Sequence, residues 1–196
     1  MNLVMRSYLE VRAHFFCLIP SITNPATPME HLWSPWRSSY IQSFSKKPAV
    51  ESCFLCDAVS AAPEHDAENL VVHRTERCFV IMNRYPYNAG HLMVVPNIHC
   101  GDFGMLPADV AAEMMSVMQR SHTALTEMFH PHGFNMGANL GRVAGAGVPD
   151  HLHMHLLPRW NGDTNFMPLI SETKVVSESL EDTARELRSV FSTISG

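Results

Sequence analysis

Positive charge is scarce in this 196-residue chain: 14 Lys and Arg stand against 19 Asp and Glu, a net charge of −5 with His neutral. That balance excludes a protein that wraps a nucleic-acid polymer through bulk electrostatics. It leaves room for a small phosphorylated ligand, which needs only local positive groups. Long apolar runs are missing too. None approaches the ~18–20 residues needed to span a membrane. The first twenty residues only faintly resemble a signal peptide, because Glu10, Arg12 and His14 interrupt the apolar stretch and no clean cleavage site follows. Cysteine is sparse and odd in number: Cys17, Cys53, Cys56, Cys78 and Cys100. A secreted disulfide framework pairs an even set in a shorter chain, so a reducing, cytoplasmic setting is expected. Internal repeats and low-complexity tracts are absent.

Hydrophobic residues make up 46% of the chain and charged residues 17%, enough for one full core and too apolar for general disorder. Residues 20–28 carry Pro20, Pro25 and Pro28 and read as a linker. Residues 1–28 are therefore expected to form a disordered extension, and 29–196 a single domain. Trp33 and Trp36 are expected to anchor the start of that domain. Short β-rich segments over 70–73, 78–82, 91–95, 134–139 and 151–157 are separated by turn signals and predict an antiparallel sheet. Residues 107–129 place Val110, Met114, Val117, Leu125 and Met128 at helical spacing, with Pro107 suited to a first turn. The methionines of this segment are expected to fill a core. Leu180, Ala184, Leu187 and Phe191 mark a second amphipathic helix, with Ser179 and Asp182 as its capping pair. The fold class is α+β: about five antiparallel strands, a long helix and a C-terminal helix.

Twelve histidines are the compositional oddity. Three fall in His151-Leu152-His153-Met154-His155-Leu156-Leu157. Side chains alternate along a strand, so the three imidazoles should share one open face, about 6.6 Å apart, with Leu152, Met154 and Leu156 turned to the core. An imidazole near neutral pH serves as nucleophile, proton carrier or metal ligand. Upstream, residues 141–150 contain Gly141, Gly145 and Gly147, a loop whose backbone N–H groups could converge on an anion. Arg159 could neutralise phosphate or form a surface salt bridge; Trp160 could stack on a base or cover the sheet edge. Cys53 and Cys56 have the Cys-x-x-Cys spacing of a zinc site, with reduced core thiols as the alternative. His14, His31, His65, His73, His122, His130 and His132 are read as surface residues.

The segment 151–157 resembles the histidine triad (HIT) signature, His-φ-His-φ-His-φ-φ with φ apolar, without departure. Residues 82–92, with Asn83 and Gly90-His91, resemble the family's strand-turn-strand. Over about residues 29–170 the chain looks like a member. Leu32-Trp33-Ser34-Pro35-Trp36-Arg37 and the segment 158–163 resemble its bacterial diadenosine tetraphosphate phosphorylase or hydrolase-like branch. The resemblance implies a homodimer in which His153 attacks the α-phosphorus of a dinucleoside polyphosphate and a second acceptor, inorganic phosphate in a phosphorylase or water in a hydrolase, releases the nucleotidyl group. It implies that His155 contacts phosphate oxygens and helps protonate the leaving group. Asn139, Gly145 and Gly147 would hold the same phosphate. Asn83 would lie near the ribose, unless it is only a turn residue, and Ile81 or Phe79 near the base; Trp160 belongs to the same substrate set. In the zinc-bearing branch the ligands match Cys53, Cys56, His99 and His151, a structural metal. Three competing readings are a nucleotide-binding sensor without catalysis, a hydrolase of nucleoside phosphoramidates, and a metal-dependent hydrolase with all three triad histidines on the metal.

Overall fold

The computed structural model describes residues 53–164 and 179–194. The expected extension over 1–28, and the anchors Trp33 and Trp36, lie outside the described residues. Five strands form one antiparallel sheet in the order β1-β2-β3-β5-β4. They are β1 (Val71–Arg74), β2 (Cys78–Met82), β3 (Leu92–Pro96), β4 (Gly133–Gly137) and β5 (Met154–Arg159). Among the described residues three α-helices accompany them: α1 (Phe54–Ser60), α2 (Ala108–Phe129) and α3 (Leu180–Ile194). The α+β class and the strand count match the sequence reading. The short α1 was not anticipated; its seven residues begin at the first cysteine of the Cys-x-x-Cys pair, with Cys53 at the N-cap.

The two central strands β2 and β3 are buried at every position, and their sequences, Cys-Phe-Val-Ile-Met and Leu-Met-Val-Val-Pro, are continuous apolar runs. Helix α2 buries Val110, Met114, Val117, Met118, Ser121, Ala124 and Leu125 along one stripe. Met114 and Met118 therefore fill core, as expected, whereas Met115 lies on the exposed face of the helix. Pro107 caps α2 from outside with an extended ψ of 139° and does not open its first turn. Ser179 Oγ accepts from the Asp182 amide at 3.3 Å, so the predicted cap of α3 is present. Thr183, Ala184, Leu187 and Phe191 are the buried face of α3.

Gly90 shows which face of the sheet the helices cover. It has φ +68°, and a Cβ there would come within 3.2 Å of Phe129, Pro158 and Leu125. Pro158 of β5 thus lies under α2, together with the other even-numbered residues of that strand. His155 points to the opposite face. Its cross-strand partner on β3 is Met93, and Met93 pairs in turn with Ile81 on β2. Phe79 and Ile81 consequently share the His155 face.

Two expectations need correction. Strand β5 starts at Met154, so of the three histidines only His155 is in the strand. Residues 151 and 152 are held by bonds outside the ladder: the His151 amide reaches Val148 O at 3.4 Å and the Leu152 amide reaches Cys100 O at 2.8 Å. The strand also runs through Pro158 to Arg159. Arg159 O accepts from His132 on the β4 side, so the Pro158 nitrogen faces the β3 side, where the ladder has already ended at Leu156. Pro158 forfeits no ladder bond there.

Candidate active site

The three triad histidines do not line an open face. All are buried: His151 is 0%, His153 6% and His155 8% exposed. They also separate into two groups. His151 turns toward α1, where its Nδ1 lies 3.4 Å from both Cys53 Sγ and Cys56 Sγ. His153 and His155 stay together, their ring centroids 5.0 Å apart and their planes at 81°. The physical reason is the late start of β5. His151 lies three residues before the ladder, where bonds to Val148 O and Cys100 O set the backbone, whereas His153 immediately precedes the first strand residue and stays beside His155.

Hydrogen bonds assign a tautomer to each ring of the second group. His153 Nδ1 lies 2.9 Å from the carbonyl oxygen of His151. A carbonyl can only accept, so the proton is on Nδ1 and the Nε2 lone pair is bare. The Tyr87 amide donates to His91 Nδ1 at 3.1 Å, which places the His91 proton on Nε2. That proton is donated to His155 Nδ1 at 2.9 Å. His155 then keeps its own proton on Nε2, as a free donor. Burial lowers the pKa of His153, against the bond to His151 O. Burial and the neighbouring His153 lower His155 to about 4. Burial first, then His155 and His153, lower His91 to about 3. The cluster is neutral at pH 7: a bare imidazole nitrogen beside an imidazole N–H donor.

His91 is the functional residue that sequence reasoning missed. It was visible there only as part of Gly90-His91. Its 0% exposure and its hydrogen bond to His155, made from the residue just before β3, are what tie it to the triad. One cue existed in the sequence: an imidazole next to the apolar run 92–96.

The loop between β4 and β5 carries the other expected contacts. Gly137 pairs with His155 at the end of the ladder, and Asn139 follows two residues later. Asn139 Nδ2 donates to Gly145 O at 3.4 Å, drawing the loop back on itself. Gly145, at φ +91°, ends the 3₁₀ turn Arg142–Ala144. Gly147 is half-buried on the return to His151. Gly101 lets that return pass closely, since a Cβ there would lie 2.4 Å from Pro149 O. An open hollow lined by His99, Gly101, Asp102, Leu140, Gly141 and Asp150 contains neither His153 nor His155. The imidazole geometry marks the chemistry, and the hollow does not.

Other residues fall where a structural role accounts for them. Asn83 Oδ1 accepts from the Tyr85 amide at 2.9 Å, the turn role, while its own amide donates to His91 O at 2.9 Å. It therefore lies one hairpin step from the cluster. Arg159 is engaged by Asp163, with Nε–Oδ2 at 2.6 Å, so the salt-bridge reading holds. Trp160 is not brought to the cluster within this chain. It follows β5, about 16 Å along the strand from His155 at ~3.3 Å per residue. Its ring meets Phe129 of α2 edge-on at 6.1 Å, on the helix side. His73 is not a surface residue: its ring stacks on Phe191 at 4.8 Å, and burial lowers its pKa.

Cys53, Cys56, His99 and His151 come together as expected, with one donor atom from each within 4.8 Å of the rest. Cys56 Sγ lies 3.1 Å from His99 Nδ1. A tetrahedral zinc at bond lengths of ~2.0–2.3 Å spaces its donors about 3.3–3.8 Å apart; the Cys–His separations of 3.1 and 3.4 Å are close to that, and the widest pair, at up to 4.8 Å, would draw in on binding. His151 Nε2 donates to Pro96 O at 2.9 Å, which leaves Nδ1 bare toward the sulfurs. Burial and the adjacent Cys53 raise the Cys56 pKa, as expected for facing sulfurs that a shared cation would relieve. Because His151 belongs to this set, the three triad imidazoles do not converge on one metal.

Comparisons with known proteins agree with this geometry. The family model described as HIT domain matches residues 64–162. An AP-4-A phosphorylase of Mycobacterium tuberculosis is 38% identical over 161 residues, 81% of this chain and 83% of its own length. A crystal structure of a Zn-bound histidine triad family protein from Mycobacterium smegmatis superposes with TM-score 0.58 at 28% identity. It covers 74% of this chain and 96% of the other. A hypothetical histidine triad nucleotide-binding protein from Sulfolobus tokodaii shares the fold, with TM-score 0.59 at 24% identity over 72% of this chain and 93% of its own.

Proposed function

The chain belongs to the histidine triad family, and from that premise we propose that it transfers a nucleotidyl group from a dinucleoside polyphosphate of the diadenosine tetraphosphate class. The acceptor is inorganic phosphate. The observation that carries this reading is the His153 tautomer: Nδ1–H is tied to the His151 carbonyl and Nε2 is left as a bare nucleophile.

In the first step the Nε2 lone pair attacks the α-phosphorus. The bond from that phosphorus to its bridging oxygen breaks, and the oxygen leaves with the electron pair. The His155 ring, its centroid 5.0 Å from that of His153, can hydrogen-bond the phosphate oxygens through Nε2–H, and the polyphosphate leaves as its anion, because the neutral imidazoles have no proton to spare. In the second step a phosphate oxygen attacks the same phosphorus, the P–N bond breaks and His153 recovers its lone pair. Two in-line displacements replace one difficult transfer. Asn139 and the amides near Gly145 and Gly147 hold the phosphate, Asn83 lies toward the ribose, and Phe79 and Ile81 lie on the base side.

Zinc is the ion this reading assigns to Cys53, Cys56, His99 and His151, with a structural role. It would tie α1 to the residue whose carbonyl orients His153. The Zn-bound mycobacterial relative and the donor spacing support this. The same reading makes the protein a cytoplasmic homodimer. The four described cysteines are free thiols, no described helix is long and apolar enough to cross a membrane, and β1 and β4 are the edges of the sheet among the described residues.

The test is brief incubation with α-labelled dinucleotide followed by denaturation. Acid-labile label on the wild-type chain, absent from a folded His153→Ala variant that still binds nucleotide, is expected. Label retained by that variant, or wild-type turnover in it, refutes the assignment.

A further inference from the structure

A polyphosphate and an incoming inorganic phosphate bring several negative charges to one site, and the described chain has few cations to meet them. It contains eight arginines and no lysine among the described residues. Arg74, Arg77, Arg159 and Arg185 are paired with carboxylates. Arg84 and Arg188 donate to backbone carbonyls. Arg120 lies on α2 with its Nε enclosed. Arg142 remains: exposed, with no hydrogen bond or ion pair from its guanidinium to another described residue.

Its position is not arbitrary. The last β4–β5 pair joins Gly137 to His155, so the chain leaves β4 beside the imidazoles, and Arg142 follows five residues later. It opens a 3₁₀ turn bracketed by Gly141 at φ +80° and Gly145 at φ +91°. Both conformations favour glycine, so the turn that presents Arg142 is written into the sequence. The Asn139–Gly145 bond keeps this turn close to the strand end it left.

In-line geometry then constrains what such a cation does. His153 occupies one apical position on the phosphorus in both steps. The acceptor must therefore enter on the side from which the leaving group departed, and it fills the place of the departed β-phosphate. We propose that Arg142 holds the anion on this leaving-group side, first the β-phosphate of the substrate and then inorganic phosphate, and so selects phosphate over water as acceptor. The proposal rests on the nucleotidyl-histidine reading above. Water is neutral and gains nothing from a guanidinium, whereas phosphate gains a charge-assisted pair. Attack by a phosphate oxygen on the adenylyl phosphorus forms the new P–O bond, breaks the P–N bond and gives ADP. Attack by water gives AMP.

The experiment measures the ADP to AMP ratio from diadenosine tetraphosphate as inorganic phosphate is varied. The ratio is decided after the adduct forms, so it is blind to effects on the first step. Wild type, Arg142→Ala, Arg142→Lys and the exposed control Arg185→Ala are compared, with melting curves to confirm folding. Arg142→Ala is expected to need at least tenfold more phosphate for the same ratio, Arg142→Lys to be intermediate, and Arg185→Ala to match wild type. An unchanged ratio in Arg142→Ala, an equal change in Arg185→Ala, or AMP alone from wild type at every phosphate concentration overturns the proposal. In each of those cases a labelled His153 adduct still forms. Absence of the adduct in wild type instead defeats the reading beneath.

Discussion

Replacing His91 by Gln tests the imidazole relay through its protons. A glutamine amide can reproduce both bonds that His91 makes: its oxygen accepts from the Tyr87 amide, and its NH₂ donates to His155 Nδ1. What it cannot do is titrate. His91 has its pKa lowered to about 3 in the fold, mainly by burial, and an ordinary value of 6.5. Between those values the unfolded chain binds a proton that the folded chain does not. Stability contributed by the neutral His91 is therefore complete above pH 6.5 and is lost as pH falls from 6.5 toward 3. One such group costs about 1.4 kcal/mol between pH 7.5 and 5.5. His155, at about 4, adds a loss of similar size over the same interval in both proteins. The other groups are common to both proteins, so the difference between them isolates His91. Urea unfolding of each protein at pH 7.5 and 5.5 is the assay. Wild type should lose about 1.4 kcal/mol more than His91→Gln on acidification. Equal losses would refute the placement of a neutral, buried His91. A larger loss in the variant would also contradict the tautomer chain that leads to His155.

Other outcomes follow from the same geometry. Elemental analysis should find about one zinc per chain, and Cys56→Ser should lower both that content and the melting temperature by several degrees; metal-free protein of full stability would reject the four-ligand assignment. His153→Ala should reduce turnover at least a thousandfold without lowering the melting temperature, checked by steady-state assay and thermal unfolding together. A chain begun at Met29 should turn over within about twofold of the full chain, and a large loss would show that residues 1–28 contribute to the site.

Local chemistry was open to reading along the chain, because it depends on residue types and their spacing. The apolar runs 78–82 and 92–96 could be little else than buried strands. The stripe through Val110, Met114, Val117 and Leu125 required a helix with one wet face. The alternation over 151–157, with Cys53 and Cys56, pointed to imidazole chemistry and a nearby metal site. Face and partner were another matter. Alternation predicted one face for His151, His153 and His155, but β5 begins at Met154 because loop contacts to Cys100 and Val148 hold the residues before it. That shift sends His151 to the cysteines and leaves His153 bonded to its carbonyl. His91, 64 residues from His155, reaches it only because β3 pairs with β5 across the intervening α2 and β4. Trp160 looked like a substrate contact in the sequence, yet the direction of β5 carries it away from the imidazoles to Phe129. A period of two states which side chains can share a face; where a strand begins, and which strand lies beside it, are settled by packing between distant segments.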